Sequence, residues 1–176
     1  ELLQENELSG KMRSAVIRRS LDLIAKVAQD EPEKYATFWN EFGAVLKEGV
    51  VEDFGNRERI TPLLRFASTK GDGAKQLVDL DAYIARMPAG QEAIFYITAE
   101  NHRAAANSPH LEVFRSKGIE VLLLSDRVDE WLVANLSEFG GKPRPKRIIE
   151  ASAPPNAMAS LIIDGKRREV PVAEEE

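Results

Sequence analysis

Asp126 and Asp129 are the residues whose type and spacing come nearest to a site for chemistry. They are three residues apart and follow Val121–Leu124, an apolar run that is typical of a buried strand. Open α/β sheets commonly bind ligands at the carboxyl ends of their strands, so the pair could belong to a ligand site. Acidic residues at a helix start are also favoured as caps and by the helix dipole. We favour helix capping and keep the ligand site as the alternative.

The other candidate groups form no recognisable catalytic pattern. Neither His102 nor His110 has a second histidine or a cysteine at metal-binding spacing, and the chain contains no cysteine. Gly71 and Gly73 lie in a loop-forming segment, but no Gly-Lys-Ser/Thr follows them, so a phosphate-binding loop is not predicted. We therefore expect two surface histidines, no metal site, and an interaction or mechanical module rather than a self-contained enzyme.

Charge and hydropathy exclude several classes of partner. The 176 residues carry a net charge of −5, whereas a protein whose main partner is nucleic acid needs clustered Lys and Arg to neutralise phosphates. Apolar runs such as Val121–Leu124 are far shorter than the roughly 20 residues that a membrane-spanning helix needs. The absence of cysteine suits a reducing compartment, so we expect a cytoplasmic protein. From the charge and the short apolar runs we expect that it binds neither nucleic acid nor membrane.

The pattern from residue 79 onward predicts an α/β unit. Ala93–Thr98 is rich in β-formers, and Val121–Leu124 is apolar on both faces, as expected of a buried parallel strand. Helices are predicted over 101–117, with an interruption at Ser108-Pro109, and over 128–139. A right-handed crossover then places the two strands side by side with helices packed on the sheet. Asp79 or Asp81 is predicted to cap a further short helix.

The first third of the chain is predicted to be helical. One apolar stripe has a spacing of three to five residues (Met12, Val16, Leu21, Ile24 and Val27). A second, largely aromatic stripe follows (Tyr35, Phe38, Trp39, Phe42 and Leu46), and we interpret it as core. Asp30 is predicted to cap the second helix, with Pro32 in its first turn. Asn56 is predicted to cap a third helix, which Pro62 either kinks or begins anew. The fold class is therefore α/β: a helical N-terminal part followed by a small αβα layered domain with parallel strands.

The two ends of the chain have distinctive sequences. Glu1 is not an initiator Met, so the chain reads as a segment of a longer protein. Residues 143–176 begin with a basic, proline-marked stretch, after which Ile148 and Ile149 could form one edge strand. Asp164-Gly165 is a favourable turn for a β-hairpin near the end.

Residues 52–66 resemble the middle domain of the ninety-kilodalton heat-shock chaperone family, of the bacterial HtpG type. Their sequence is Glu-Asp-Phe-Gly-Asn-Arg-Glu-Arg-Ile-Thr-Pro-Leu-Leu-Arg-Phe, and the family's pattern there is acidic-Asp, Asn-Arg or Asn-Gln, then Leu-Leu-Arg. Further blocks follow in the family's order across residues 1–142 (83–87, 91–98, 107–111, 118–126, 128–131 and 138–142). The resemblance implies three segments: a helical part at 1–75, a smaller αβα portion at 76–142, and a divergent tail at 143–176. Within the first segment, residues 1 to about 29 resemble the end of the family's larger αβα portion, and 30 to about 75 resemble a helical connector.

The resemblance also implies a function and site residues. Gln4 matches the glutamine of the family's catalytic loop, where it would support ATP hydrolysis by a contact to the γ-phosphate; the loop's arginine would precede Glu1. Glu130 and Trp131 match an acidic-aromatic pair implicated in holding client proteins, although Trp131 could equally be core. The fragment itself would hold no cofactor, whereas the parent would use ATP and Mg²⁺. Client polypeptides, the N-terminal nucleotide domain and co-chaperones would be its partners, and the parent would be a homodimer.

Two alternatives to a chaperone segment stay open on the sequence alone. One is a small doubly wound nucleotide-binding enzyme domain that uses Asp126 and Asp129. The other is a structural fragment that retains no binding activity.

Overall fold

A computed structural model describes residues 7–140, 146–151, 159–163 and 166–170 of the chain. Its helices are α1 (Glu7–Asp30), α2 (Pro32–Glu52), α3 (Arg57–Ile60), α4 (Leu80–Ala85), α5 (His102–Ala106), α6 (Leu111–Ser116) and α7 (Asp129–Asn135). Its strands are β1 (Ala67–Ser68), β2 (Ala93–Thr98), β3 (Val121–Leu124), β4 (Glu138–Phe139), β5 (Lys146–Glu150), β6 (Ala159–Ile163) and β7 (Lys166–Val170).

The helical first part begins with two long helices that are separated by Glu31 alone. Pro32 opens α2, as predicted, because its missing N–H costs nothing in a first turn. The predicted cap at Asp30 is wrong: the Glu31 N–H still donates to the Val27 carbonyl at 2.9 Å, so α1 continues through Asp30. Pro62 lies in the first turn of a short 3₁₀ helix, Thr61–Leu63, that follows α3.

The smaller part of the chain contains a five-stranded sheet in the order β1-β3-β2-β5-β4. Strand β2 pairs in parallel with β3 on one side and with β5 on the other, while β1 and β4 pair antiparallel at the edges. The predicted side-by-side parallel arrangement of 93–98 and 121–124 is confirmed. The fold is therefore mixed α/β, with helices first and then a mostly parallel sheet.

Helices cover both faces of this sheet because the strand side chains alternate between two cores. Ile94, Leu122 and Leu124 belong to the core that includes residues of α2, α4 and α7. Ile97, Val121 and Leu123 belong to the core that includes residues of α5 and α6. All four residues of β3 are buried, as their two-sided apolar pattern predicts.

Several helix boundaries differ from those that the sequence predicts. Asp79 accepts from the Ala82 N–H and caps α4 as expected, but α6 starts at Leu111 rather than at Pro109. Helix α7 ends at Asn135, well before Phe139, because Leu136 leaves the helical region of backbone angles. The chain then turns into β4, and the Ser137 carbonyl accepts from the Ile148 N–H at 2.8 Å.

The sheet extends past residue 142 through β5. The strand predicted at Ile148 and Ile149 is confirmed, but it lies between β2 and β4 rather than at the edge. Strands β6 and β7 pair antiparallel, as the predicted hairpin requires, whereas the predicted turn at Asp164-Gly165 lies outside the described residues.

Candidate functional site

Glu130 and Trp131 lie on the outer face of α7. Glu130 is exposed, and Trp131 is 68% exposed, so the interpretation of Trp131 as a core residue is wrong. The inward face of the same helix carries Leu132, and Leu136 follows directly after the helix; both are buried in the core. A short helix anchored by these leucines therefore presents a large aromatic side chain and a carboxylate to solvent. Their role in binding stays a prediction.

The prediction that Asp126 or Asp129 caps α7 is wrong, because no side chain makes a cap hydrogen bond at the start of this helix. Both aspartates contact Lys47 instead. The Lys47 Nζ lies 2.7 Å from Asp126 Oδ2 and 2.7 Å from Asp129 Oδ1. The first contact has hydrogen-bond geometry, whereas Asp129 Oδ1 has an ion-pair contact without it. Asp129 instead uses its Oδ2 to accept from the Asp126 N–H at 2.9 Å. These three residues are called the Lys47 centre below.

Lys47 itself is 1% exposed, which is unusual for a lysine. Its ammonium lies 5.2 Å from the ring centroid of Phe66 and 5.9 Å from that of Trp39, so aromatic faces provide part of its surroundings. A buried ammonium is stable only when it is paired and hydrogen-bonded. Asp126 and Asp129, which are distant from Lys47 in sequence, supply that pairing.

The surroundings shift the pKa values of the two carboxyl groups in opposite directions. Burial raises the pKa of Asp129, and the nearby Lys47 charge offsets this only in part. Burial also acts on Asp126, but Lys47 and the Gln76 amide outweigh it, so the pKa of Asp126 is lowered. The two carboxylates share one cation, so the difference in burial decides the outcome: the charged form of the more buried Asp129 is the less well stabilised.

The sequence contains a signal for Lys47 that the motif search missed. Residues 39, 43, 47 and 50 form the buried face of α2, and three of them are Trp, Gly and Val. A charged residue on such a face requires a partner inside the fold. Gly43 on the same face allows close packing, because a Cβ there would lie 2.7 Å from the Trp39 ring.

A second buried charge lies at the start of β3. Glu120 is 3% exposed; its carboxylate accepts from the Arg86 guanidinium at 2.8 and 3.0 Å and from the Ser68 hydroxyl at 2.7 Å. The Tyr83 hydroxyl donates to the Glu120 carbonyl, and accepts from the Phe95 N–H at 3.0 Å. Glu120 with Arg86, Ser68 and Tyr83 is called the Glu120 centre below.

No metal site is predicted from the sequence, and the side chains that could form one are His102, His110 and the acidic residues. Both histidines are partly buried rather than fully exposed. Within the part of the chain that the structure describes, no three His, Cys, Asp or Glu side chains are grouped so as to hold a metal ion. Gln4 lies outside the described residues.

The nucleotide-binding alternative is not favoured by the geometry. It requires Asp126 and Asp129 to be available for a ligand, but both are engaged by Lys47. A cavity of about 380 Å³ does lie at the carboxyl ends of β2 and β5, lined in part by Thr98, His110 and Glu150. Neither aspartate lines it.

None of the helices in the described ranges combines the length and apolar character that crossing a bilayer requires.

Comparisons with known proteins identify what the chain is similar to. The family model described as Hsp90 protein matches residues 1–146. The chaperone protein HtpG of Actinobacillus succinogenes is 61% identical over 143 residues, which cover 81% of this chain and 23% of the relative. The same-named protein of Alkalilimnicola ehrlichii is also 61% identical, with 81% of this chain and 22% of the relative covered. The chain thus spans less than a quarter of the length of these relatives.

A solved structure extends the similarity to the fold. The middle domain of a putative heat shock protein from Plasmodium falciparum superposes with a TM-score of 0.74 at 29% identity. The match covers 85% of this chain and 59% of that structure.

Proposed function

This chain belongs to the Hsp90 family, and we propose that it works as the middle-domain part of an ATP-dependent chaperone of the HtpG type. The observation that supports this proposal best is the 68% exposure of Trp131 beside the exposed Glu130 on α7. A tryptophan in water leaves a large apolar area unpartnered, and tryptophan is enriched at the centres of binding surfaces. Trp131 would bury apolar segments of a loosely folded client, and Glu130 would face polar or basic groups beside them.

The remaining parts of the proposal concern the longer protein. ATP with Mg²⁺ would bind to an N-terminal nucleotide domain, which would supply the chemistry of hydrolysis. Gln4 of this chain would donate a hydrogen bond to the nucleotide's phosphate when that domain docks, while this fragment would not hydrolyse ATP alone. Client polypeptides and co-chaperones would be the other partners, the parent would be a homodimer, and it would act in the cytoplasm.

The client role is tested by substituting the exposed tryptophan. Trp131→Ala should weaken binding of a permanently unfolded probe, reduced and carboxymethylated lactalbumin, by about tenfold. Phe54→Ala is the matched control, because Phe54 is an aromatic residue that is 70% exposed but lies outside α7. Binding is measured by fluorescence anisotropy of the labelled probe. Equal affinities of Trp131→Ala and the unsubstituted chain, or an equal loss in Phe54→Ala, would contradict the proposal.

Calorimetry with millimolar ATP separates the chaperone segment from the nucleotide-binding enzyme. We expect no saturable heat of binding by this chain. Saturable binding that is lost in Asp126→Asn would instead support the enzyme.

A further inference from the structure

Lys47 connects two segments that are far apart in sequence. It lies in α2, within the predicted connector, and its partners Asp126 and Asp129 lie 79 and 82 residues further along the chain. Asp129 is 1% exposed and is the first residue of α7. The exposed pair Glu130 and Trp131 follows immediately. The buried ion pair therefore fixes α7 one residue before the surface that we propose for client binding.

A third segment closes the network around this ion pair. The Gln76 Nε2 donates to Asp126 Oδ2 at 3.0 Å, and the Gln76 Oε1 accepts from Trp39 Nε1 at 3.0 Å. Trp39 and Lys47 both belong to α2, so Gln76 makes a second link between α2 and the turn that leads into α7. Hydrogen bonds that close such a loop hold each side chain in one orientation, because moving any member breaks at least two contacts.

Helix α7 is short, so its attachment points determine its orientation. It has seven residues, and its buried side chains are Asp129 and Leu132, with Leu136 just beyond its end. Leucine contacts are not directional and tolerate sliding, whereas the ion pair at Asp129 fixes distance and direction. The Lys47 contact is therefore the directional constraint on where Glu130 and Trp131 point.

We propose that Lys47 is a positioning residue, which ties α7 to α2 so that the Glu130–Trp131 surface moves with the connector as one rigid body. This inference rests on the proposed function for its consequence: a rotation of the connector would carry the client surface with it. Discrete, tightly packed contacts of this kind are what allow domain movements to be transmitted without deformation.

The test must separate loss of position from loss of stability. Lys47→Met leaves Asp129 buried without a cation, whereas the double variant Lys47→Met, Asp129→Asn removes the buried cation and the buried carboxylate together and leaves only Asp126, whose side chain is 36% exposed, charged at this centre. Stability should therefore recover in the double variant while the directional tie stays absent. Arg86→Met is the matched control, because it breaks an ion pair to the buried Glu120 and contacts neither α2 nor α7 in the described interactions.

Hydrogen exchange on the full 176-residue chain reports how readily the backbone hydrogen bonds of α7 open. In the double variant, the Leu132 and Leu136 amides, which bond to Val128 and Leu132 carbonyls, should exchange roughly tenfold faster. Amides of β2 and β3 should keep their protection, and Arg86→Met should leave α7 unchanged. Binding of the carboxymethylated lactalbumin probe should weaken in the double variant but not in Arg86→Met.

The outcomes distinguish the two proposals. Unchanged α7 exchange and unchanged probe binding in the double variant would overturn the positioning role, even if Trp131→Ala weakens binding. If Trp131→Ala does not weaken binding, the proposed function fails, while faster α7 exchange would still support the tie itself. If the double variant does not fold, the single variant Asp129→Asn replaces it in the exchange experiment, because Lys47 then keeps Asp126 as a partner. Normal exchange of the α7 amides in that variant would count against the tie.

Discussion

The Lys47 centre and the Glu120 centre both bury a charge next to β3, one at each end of the strand, but they satisfy it differently. Lys47 depends on two carboxylates, and one of them, Asp129, is itself buried. Glu120 accepts from an arginine whose side chain is 41% exposed and also from the neutral Ser68 hydroxyl. A buried charge whose partners are all charged, one of them also buried, loses much of its support when one member is removed, whereas one that also has a neutral donor and a solvent-exposed partner loses them singly.

Removing the cation of the Lys47 centre should have the largest effect. Lys47→Ala leaves Asp129 without a counter-ion in the core and should lower the free energy of unfolding by about 3–5 kcal/mol. Urea unfolding followed by circular dichroism measures this change. Lys34→Ala is the control on the same helix, since Lys34 and Glu31 are 67% and 53% exposed, and it should change stability by less than about 1 kcal/mol. Similar small losses in both variants would show that the burial of Lys47 carries no special cost.

Removing the hydroxyl of Tyr83 from the Glu120 centre should rank second. Tyr83→Phe leaves the Glu120 carbonyl and the Phe95 N–H without this partner, so a loss of about 2–4 kcal/mol is expected. Tyr96→Phe, in β2 of the same sheet and only partly buried, is the control and should cost less. The comparison between the centres breaks down if Tyr83→Phe destabilises the protein more than Lys47→Ala.

Alkaline pH should also weaken the Glu120 centre. Burial raises the pKa of Tyr83 from its usual 10.0 to about 12, and burial raises the pKa of Tyr35 likewise. Between pH 10 and 12 the unfolded tyrosines lose protons while the folded ones keep them, so stability that is fully present below pH 10 is lost as pH rises. Tyr83→Phe should reduce this alkaline loss by about 2 kcal/mol. Unfolding curves at pH 9 and pH 11.5 test this, and parallel curves for both proteins would contradict it.

The smallest effect is expected for Arg86. Arg86→Met removes two charge-assisted hydrogen bonds, but the exposure of the guanidinium screens the interaction and Ser68 still donates to Glu120. Because Glu120 is itself buried but keeps the Ser68 donor, the loss should be about 1–2 kcal/mol. A loss as large as that of Lys47→Ala would mean that the two centres do not differ in the way described above.

The sequence predicted those elements whose causes are local. Asp79 caps α4 because its side chain reaches an N–H three residues away, and β3 reads as buried because all four side chains are apolar. The exposure of Trp131 could not be decided in the same way, because apolar residues such as Leu132 are its neighbours in α7 and only the packed structure shows which face is inward.

The ion pairs of Lys47 could not be predicted from the sequence. Asp126 and Asp129 are predicted to be helix caps, with a ligand site as the alternative, but their partner lies 79 residues from Asp126, and nothing in their local pattern identifies a lysine in α2. Asp30 is predicted as a cap from its type, whereas the Glu31 N–H donates to the Val27 carbonyl and so keeps Asp30 inside α1. The first difference arises from a tertiary contact, and the second from a local backbone hydrogen bond that continues the helix past the expected cap.

The place of β5 in the sheet has a consequence for synthesis on the ribosome. Strand β2 emerges more than fifty residues before β5, which occupies one of its two hydrogen-bonding edges. Until residue 150 has left the exit tunnel, that edge of β2 offers unpaired backbone groups to any other extended chain. The nascent polypeptide therefore passes through an interval in which it is itself vulnerable to mispairing and aggregation.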